Sequence, residues 1–521
     1  MEGFEATSTV VPQPVFINIS SSSVGSLRPL VFHERGAVFL YFVFSIQTPG
    51  SKIQELFCLL QVSAVKYLTM KKILYRTFRF TSAVQYGFRT RFTPAGRLVI
   101  AALVITAFVG QNTNLNMAFQ GFTLLTALLV VAFFTTLFFK PAVTVTRRLP
   151  RFGTAGDSFT YRMMVSNNSP KTQKGLTLLE MTPDPRPSFE EFVTSREPLE
   201  EKRNIFDRKV GYHRWLWLVG LKQSAGIEEA PMTELGPNTQ DEVRIQVIPR
   251  RRGRLHLSGV KFARADVFGL YRAVHRIPEY GSVLILPRRY RLPPVLLPGH
   301  RKYQPGGVAL ASTVGDAEEF VSLREYRPGD PLRRIHWKSW AKIGKPIVKE
   351  YQEEYFIRHA LILDTFHPVT GSQSFEEAVS LAASFASTLE TRESLLDLMF
   401  VGTEAYCFTS GRGLTQTDRM LEILASAEVC QNRPFSDLYP LVLERAGLLS
   451  SCICILLSWD ADRQDLVQRL KESGLPVLVL VVLQEGHAET VTPGPMKDDS
   501  DRFVVLEAGK IEQGLAKLGH S

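Results

Sequence analysis

The most informative stretch of this chain is Tyr326-Arg-Pro-Gly-Asp-Pro-Leu-Arg-Arg-Ile-His-Trp-Lys-Ser-Trp-Ala-Lys342. Asp330 and the proline that follows it are typical of a helix N-cap with proline in the first turn. The inward face of that helix would carry Leu332, Ile335 and Ser339, and its outward face Arg333, Arg334, Lys338 and Lys342. The stretch therefore predicts a turn and a helix, and a strand would follow from Pro346.

The same stretch resembles the signature of a bacterial family known as domain of unknown function 58 (DUF58). That signature has the form Arg-x-Tyr-x-x-Gly-Asp, then Arg-x-Ile-x-Trp-Lys, then Ala-Arg or Ala-Lys. Here it stands as Arg324, Tyr326, Gly329, Asp330, Arg333, Ile335, Trp337, Lys338, Ala341 and Lys342. The resemblance identifies a family whose chemistry is not established.

Three roles are open for this segment. Arg324 and Arg333 could pair with Asp330 and Glu325 to hold a turn, with Trp337 as a core anchor. Alternatively, the segment could dock a partner protein through a set of candidate contact residues. These are Arg324, Tyr326, Arg327, Gly329, Asp330, Arg333, Arg334, His336, Trp337 and Lys338. Catalysis is the weakest of the three, because no nucleophile with an oriented base is evident.

Length and charge bound the possible classes of protein. A chain of 521 residues has room for two or three domains, and its net charge is +10. Between Lys71 and Arg151 every charged residue is basic. This asymmetry favours attraction to an anionic membrane surface over general nucleic-acid binding. The five cysteines show no metal-ligand spacing and predict no disulfide framework, which favours a reducing compartment.

Residues 1–69 show no persistent helix or strand period, and their apolar stretch at 37–46 is too short to span a bilayer. Met70 opens the basic segment that leads into the membrane region. We therefore expect Met70 to be the native start and residues 1–69 to be a disordered or gene-model extension. The alternative is a genuine, poorly ordered tail. Peptides from residues 1–69 in the native protein would refute the first interpretation.

Residues 70–140 combine this basic segment with two apolar segments, at about 94–112 and 117–139. A polar turn separates them, so a transmembrane helical hairpin accounts for both. Basic residues flank the two outer ends, and the turn carries no charge. The positive-inside rule then predicts a two-pass protein with both ends, and so the large C-terminal region, in the cytoplasm. The resemblance to a bacterial family implies that this membrane is the bacterial inner membrane. A buried hairpin inside a soluble domain is the alternative.

Residues 141–298 change to a period of two. Tyr161, Met163 and Val165 alternate with mainly polar neighbours, and 243–247, 255–257 and 283–285 repeat the pattern. These strands predict an immunoglobulin-like β-sandwich. The part from 182 to 232 would be an excursion, with Trp215-Leu-Trp217 as a strand candidate. The basic run at 250–254 is interpreted as a solvated turn, with contact to phosphate or lipid headgroups as the alternative.

The signature segment, residues 299–357, leads into a C-terminal part, residues 358–521, in which apolar strands alternate with amphipathic helices. This pattern predicts a mainly parallel sheet covered on both faces. Ser374 and Glu377 would form the capping box of the first helix. The resemblance implies the same architecture, because the C-terminal part of the family resembles a von Willebrand factor A domain, which is a Rossmann-like α/β fold.

A divalent-cation site is weakly indicated. Domains of the von Willebrand type carry Asp-x-Ser-x-Ser after their first strand, and its oxygens suit a hard cation. This chain has Asp364-Thr-Phe-His-Pro368, so both serines are replaced. Asp460 could supply a second acid. We expect Asp364 to cap a backbone amide and assign no cofactor, with metal binding at Asp364 and Asp460 as the alternative.

The leading functional hypothesis is a membrane-anchored scaffold or adaptor without enzymatic activity. The resemblance implies an accessory role beside a MoxR-type AAA+ ATPase, with a transglutaminase-like membrane protein as a further partner. Residues 324–349 carry eight basic residues against Glu325 and Asp330, a net charge of +6, which suits an acidic partner. The alternatives are a metal-dependent hydrolase using Asp364, Asp460 and His336, a metal-dependent adhesion-type domain, and a nucleic-acid-binding membrane protein.

Overall fold

The computed structural model describes residues 27–34, 37–44, 52–110, 116–197, 200–293, 302–303, 319–330, 332–352, 355–368, 371–389, 394–410, 414–484 and 491–516. The chain divides into two compact units, Met1–Thr77 and Phe78–Ser521. In the first unit, strands β1 (Leu27–Glu34) and β2 (Ala37–Phe44) form an antiparallel hairpin, and helix α1 (Lys52–Arg91) begins there. Regular structure is thus present within residues 1–69, where β2 is an unbroken apolar run that shows no period. Whether Met70 is the native start stays a prediction.

Two apolar helices follow, α2 (Pro94–Val109) and α3 (Asn116–Thr136). Within the described residues, only the stretch Met117–Thr136 is both long and apolar enough to cross a membrane, with a mean hydropathy of 2.0. Helix α2 is apolar but shorter. Most of the polar turn predicted between the two helices, residues 111–115, lies outside the described part of the chain.

The start of α2 is held against a turn of the following domain. Thr93 caps the helix by accepting a hydrogen bond from the amide of Gly96 at 3.0 Å, and its own amide donates to the carbonyl oxygen of Leu270 at 3.1 Å. The backbones approach so closely that a Cβ atom at Gly96 would lie 2.0 Å from that oxygen. The Asp266 carboxylate fixes the turn from the other side by accepting the amide of Leu270 at 2.6 Å.

Antiparallel strands dominate the next part of the chain, as the period of two predicts. The strands are β3 (Val143–Arg148), β4 (Phe152–Thr154), β5 (Phe159–Asn167), β6 (Leu176–Met181), β7 (Ala225–Ile227), β8 (Ala230–Pro231), β9 (Gln240–Pro249), β10 (Gly253–Leu257), β11 (Gly259–Ala265), β12 (Arg272–Ile277) and β13 (Gly281–Leu286). They form sheets of order β3-β5-β9-β7, β12-β11-β6-β8 and β10-β13-β4. Met163 pairs with Val243 and Tyr161 with Ile245, and all four side chains are buried in one core.

The excursion between β6 and β7 is helical, with α4 (Phe189–Thr194), α5 (Ile205–Val210) and α6 (Tyr212–Lys222). The prediction of a strand at Trp215-Leu-Trp217 is wrong. Trp215 and Leu218 are both buried, and their spacing of three residues matches one face of a helix rather than one face of a strand.

The signature segment contains β14 (Lys302–Tyr303), β15 (Glu319–Glu325), a short 3₁₀ helix (Leu332–Arg334), α7 (Trp337–Ile343) and β16 (Ile347–Gln352). The remaining elements are β17 (Tyr355–Leu363), α8 (Gln373–Thr388), β18 (Ser394–Val401), β19 (Ala405–Ser410), α9 (Leu414–Ala425), α10 (Leu438–Leu443), β20 (Ser451–Leu456), α11 (Ala461–Glu472), β21 (Val477–Leu483), β22 (Phe503–Glu507) and α12 (Ile511–Ala516). Their sheet has the order β19-β18-β17-β20-β21-β22, with β14 also paired to β17.

This sheet is mainly parallel, since among its described strands β19 and β14 alone run antiparallel to their neighbours. Successive residues of β17 enter different cores: Leu361 and Leu363 pack with α8, whereas Ala360 and Ile362 pack with Cys452 and Cys454. Burial on both faces explains why these strands are continuously apolar. The predicted capping box is wrong, because Ser372 is the N-cap of α8 and Glu377 binds the hydroxyl of Tyr290 instead.

Arg252, in the turn between β9 and β10, joins the antiparallel domain to the α/β domain. Its guanidinium binds the Glu376 carboxylate and donates to the carbonyl oxygens of Leu424 at 3.2 Å and Ala427 at 2.6 Å. It also lies over the ring of Phe375, 5.0 Å from the ring centre. Part of the basic run at 250–254 is therefore an interdomain contact and not a solvated turn.

Candidate functional site

The signature residues form a two-stranded hairpin, which we call the signature hairpin (residues 319–352). Strands β15 and β16 are antiparallel, with Arg324 opposite Val348. Beyond the strand ends, the amide of Tyr326 donates to the carbonyl oxygen of Pro346 at 2.9 Å, and the amide of His336 donates to that of Ile347 at 2.8 Å. The connection between the strands is thus fastened back onto β16 at two points.

Asp330 organises the turn at the start of this connection. Its carboxylate accepts two hydrogen bonds from the Arg324 guanidinium, at 2.7 and 2.8 Å, and a third from the amide of Arg327 at 2.8 Å. These contacts lower the pKa of Asp330 to about 2, and the hydrogen bonds from the Arg324 side chain have the largest effect. Gly329 has a φ of 106°, a conformation that favours glycine. The pairing of Arg324 with Asp330 confirms part of the structural interpretation.

The short helix α7 carries the aromatic part of the hairpin. The rings of Trp337 and Trp340 stack, with centroids 5.2 Å apart and an angle of 18° between planes. His336 precedes the helix, and its Nδ1 lies 2.6 Å from the hydroxyl of Ser339. Gly344 ends the helix in the left-handed region, with its amide bonded to the carbonyl oxygen of Trp340 at 2.8 Å.

The hairpin has a small core and an apolar exterior. Among the hairpin side chains whose burial is described, Ile335, Ile347 and Val348 are buried. Trp337 is 64% exposed and Leu332 is 68% exposed, so the expectations of a tryptophan core anchor and an inward leucine are both wrong. Helix α7 has seven residues and begins at Trp337. Leu332 therefore precedes the helix whose period was used to predict that its side chain faces inward. Asp330 accordingly holds the turn and does not cap an α-helix.

Charged residues surround this apolar surface. Arg327, Arg333, Lys338 and Lys342 are all exposed. The expected pair of Arg333 with Glu325 is not seen among the described residues, where Lys345 binds the Glu325 carboxylate at 3.1 Å instead. Arg334 lies in the short 3₁₀ helix before Ile335. The hairpin therefore combines basic side chains with an exposed stacked tryptophan.

The two acids considered for a metal site lie together at the carboxyl ends of β17 and β20. Asp364 is fully buried and accepts the amides of Phe366 at 2.9 Å and Leu457 at 3.0 Å. The expectation that it caps a backbone amide is confirmed. Asp460 is the N-cap of α11 and accepts the amide of Arg463 at 3.1 Å.

Arg463 joins these two carboxylates. Its Nε lies 2.8 Å from Asp364 and its Nη1 lies 2.6 Å from Asp460, while Nη2 donates to the carbonyl oxygen of Phe366 at 3.2 Å. The guanidinium also lies 4.4 Å from the ring centre of Phe435. Burial raises the pKa of the Asp364 carboxyl, and Arg463 acts against that rise. A protein cation thus occupies the position between the acids.

Phe366 and Pro368 stand where the von Willebrand motif has its two serine hydroxyls. The Thr365 hydroxyl binds the carbonyl oxygen of Val401, and His367 Nε2 lies 3.3 Å from the hydroxyl of Ser372. Among the described residues, no three His, Cys, Asp or Glu side chains are placed to hold a metal ion together. The donor set therefore fits an internal ion pair better than a divalent cation.

Sequence reasoning missed Arg463. The available signal was an arginine on the face of α11 that also carries Leu466 and Val467, three and four residues later. An arginine at such a position is buried only with a carboxylate partner. Asp364, assigned only to capping a backbone amide, was the acid that could have been matched to it.

Comparison with known proteins agrees with the resemblance read from the signature. Residues 322–441 match the family model described as "Protein of unknown function DUF58". The uncharacterized protein YeaD of Bacillus subtilis (strain 168) is 26% identical over 187 residues, which cover 36% of this chain and 45% of that protein. Residues 322–441 are therefore similar to the DUF58 family, as the signature within them predicts. The match spans less than half of the curated relative.

Solved structures give only remote similarity. A structure of Salmonella alpha-2-macroglobulin matches 32% of this chain and 8% of that chain, at 13% identity and a TM-score of 0.16. A PapD-like domain of human CEP192 matches 29% of this chain and 92% of that chain, at 10% identity and a TM-score of 0.14.

Proposed function

We propose that this protein is a membrane-anchored scaffold that presents the signature hairpin to a partner protein. The observation that supports this most directly is the exposure of Trp337, stacked on Trp340, among basic side chains. Tryptophan and arginine are the residues most often found at the energetic centres of protein interfaces. A solvent-exposed tryptophan that is already ordered by stacking loses little conformational entropy on binding.

The turn at Asp330 serves this role by fixing the shape of the surface. Arg324 and the amide of Arg327 hold Asp330, and Gly344 ends α7 so that β16 can return along β15. The hairpin can therefore meet a partner without a large rearrangement. In this proposal Tyr326, Gly329, Arg334 and His336 support or extend the same surface, and Arg333 and Lys338 attract an acidic partner.

We assign the anchor as a two-pass hairpin of α2 and α3 in the bacterial inner membrane. Thr106 of α2 lies 3.6 Å from the position of a Cβ atom on Gly121 of α3, a close approach at small residues that is typical of membrane helices. Arg89, Arg91 and Lys140 flank the outer ends. Both ends would then lie in the cytoplasm, next to anionic lipid.

The two large domains would be an immunoglobulin-like sandwich and a von Willebrand factor A-like domain. The sandwich assignment is supported by the shared core of its antiparallel sheets. The second assignment is supported by the strand order β19-β18-β17-β20-β21-β22 and by Asp364 at the end of β17. With Arg463 between its acids, the second domain would act as a scaffold without a bound ion.

The partner that we propose is a MoxR-type AAA+ ATPase, with a transglutaminase-like membrane protein as a further component. The family resemblance and the net charge of the segment from 324 to 349 support this choice. The role would be that of an accessory in ATPase-driven maturation or remodelling of proteins at the membrane. The chain would contribute binding and positioning, and the partner would supply ATP hydrolysis.

Co-purification from native membranes tests the proposal. The double variant Arg333→Glu with Lys338→Glu, and separately Trp337→Ala, should each reduce recovery of the ATPase at least about tenfold. Lys497→Glu is the matched control, because Lys497 is also an exposed basic residue and lies outside the hairpin. Undiminished recovery with both hairpin variants, while circular dichroism shows them folded, would contradict hairpin docking.

A further inference from the structure

A cleft of about 830 Å³ opens between the antiparallel domain and the α/β domain. Arg250 and Arg251 line it from the turn after β9, and Trp217 lines it from α6. Opposite them are Gln484, the residue after β21, and the Ala508–Lys510 segment that follows β22. The cleft thus lies outside the carboxyl ends of parallel strands, where α/β sheets most often bind ligands. Its volume is that of a small-molecule site.

The charges around the cleft are unbalanced. The basic lining residues are Lys202, Arg250, Arg251, Arg252, Arg288 and Lys510, and the acidic ones are Glu376 and Glu377. Both carboxylates are engaged, Glu376 by Arg252 and Glu377 by the hydroxyl of Tyr290. Two of the basic residues have acidic partners outside the lining, since Arg288 pairs with Glu512 and Lys510 with Glu507. Within the described chain, Lys202, Arg250 and Arg251 pair with no carboxylate.

Arg251 is the most informative of these residues. It is half-buried, and its Nη1 lies 3.4 Å from the position that a Cβ atom on Gly371 would take. Burial lowers the pKa of Arg251, and the nearby Glu376, already bound to Arg252, opposes this only in part. No hydrogen bond joins the Arg251 guanidinium to another residue in the part of the chain that is described. Partial desolvation without a partner is unfavourable, and a bound anion would offset it.

Arg250 complements Arg251 with a second directed donor. Its Nη1 is oriented by a hydrogen bond of 3.1 Å to the side-chain oxygen of Gln223, a neutral acceptor that leaves the charge uncompensated. Two guanidinium groups on the lining of one cleft match the several oxygens of a phosphate better than the two oxygens of one carboxylate. Trp217 adds an aromatic surface on the same lining, which suits the organic part of a ligand.

We propose that the cleft binds a soluble phosphate ester of about mononucleotide size, with its phosphate on Arg250 and Arg251 and its organic part against Trp217. The site is separate from the signature hairpin, so it does not depend on the docking role proposed above. It would make the interdomain contact at Arg252 responsive to a small molecule, because the ligand would contact residues of both domains.

The test uses the full chain in an uncharged detergent and a phosphate-free buffer, with isothermal titration calorimetry. The probes are ADP, inorganic phosphate and dioctanoyl phosphatidic acid. We expect ADP to bind more tightly than inorganic phosphate, and Arg250→Gln and Arg251→Gln each to weaken ADP at least about tenfold. Trp217→Leu should weaken ADP and leave inorganic phosphate unchanged. Arg254→Gln, an exposed residue of the same basic run, should leave all affinities unchanged.

Several results would overturn the proposal. Absence of ADP binding at millimolar concentration would do so, as would equal losses in the Arg254→Gln control. Tighter binding of phosphatidic acid than of ADP would identify a lipid headgroup site instead. Using two separate arginine variants, neither of which removes the Arg252 interdomain contact, keeps a loss of binding distinguishable from a loss of folding.

Discussion

Removal of Arg463 tests the buried charge cluster that it forms with Asp364 and Asp460. The side chain of Asp364 is fully buried, and that of Arg463 is 8% exposed. In Arg463→Met the Asp364 carboxylate would keep its two backbone amides but lose its counter-charge, while a side chain of similar length still fills the space. Breaking a buried ion pair by removing one partner costs about 3–5 kcal/mol. We expect a loss of that size in the free energy of unfolding at neutral pH.

The loss should depend on pH in a defined direction. Burial already raises the pKa of Asp364, and removal of Arg463 would raise it further. A carboxyl whose pKa is higher in the folded state destabilises the fold most when it is ionised. The deficit of Arg463→Met should therefore be largest at neutral pH and shrink as the pH falls toward the ordinary aspartate range. Adding Asp364→Asn, which removes the buried charge, should recover part of the deficit.

Urea unfolding with pulsed hydrogen exchange, read on peptides of β17 and β20, measures this domain separately from the rest of the chain. The control is Arg469→Met, on the same helix, because Arg469 pairs with Asp465 at the surface, with both side chains about half exposed. An exposed pair of this kind contributes about 0–1 kcal/mol. If Arg463→Met and Arg469→Met lose equal stability, or if the Arg463→Met deficit grows in acid, the reasoning about the buried pair is refuted.

Three further changes test other contacts. Gly96→Ala should destabilise the chain by about 1–3 kcal/mol, because its Cβ would overlap the carbonyl oxygen of Leu270. Thermal unfolding in detergent measures this loss. Gly87→Ala is the control, because a Cβ atom at Gly87 would have no atom within 4 Å. Arg252→Ala should split calorimetric unfolding into two transitions, because it leaves interdomain carbonyls unpaired. The pKa of Asp330 is lowered to about 2, so the turn around it should keep its hydrogen-exchange protection above pH 4 and lose it between pH 4 and pH 2. The exchange rates are corrected for their intrinsic pH dependence. The Asp330→Asn variant should lack this protection at every pH.

Each of these three has an outcome that contradicts it. Equal effects of the two glycine substitutions would show that the contact with Leu270 is not tight. A single calorimetric transition in Arg252→Ala would mean that other contacts couple the domains. Protection of the turn that persists unchanged at pH 2 would mean that ionised Asp330 does not hold it.

Sequence patterns predicted the strands that are buried on both faces and those that are buried on one face. β17 and β20 are continuously apolar because both faces of their sheet are covered, and β5 alternates because one face is solvated. The alternation of apolar strands with amphipathic helices in residues 358–521 matches the order of elements in the α/β domain. Local chemistry and tertiary packing favour the same structure at these positions.

The failures have a common physical cause. Leu332 was assigned inward from a helical period that begins only at Trp337, and Trp337 itself was assigned inward although its side chain is exposed. Trp215-Leu-Trp217 was too short a segment to distinguish the period of a helix from that of a strand. The cleft at Arg251 joins residues far apart in sequence, so no local pattern could predict it.

The geometry at Asp364 also bears on the alternative of a metal-dependent hydrolase. A divalent ion between Asp364 and Asp460 would have to displace Arg463, whose guanidinium already contacts both carboxylates and the carbonyl oxygen of Phe366. Burial opposes the charged form of Arg463, but the two acids together raise its pKa, so it stays a cation at any physiological pH. Displacing it would leave a second positive charge beside the metal. We therefore expect the purified chain to hold Mg²⁺ or Mn²⁺ below one equivalent per chain by elemental analysis, and added Mg²⁺ to leave its melting temperature unchanged. Stoichiometric retention of either ion, lost in Asp364→Asn, would instead support the metal-dependent alternative.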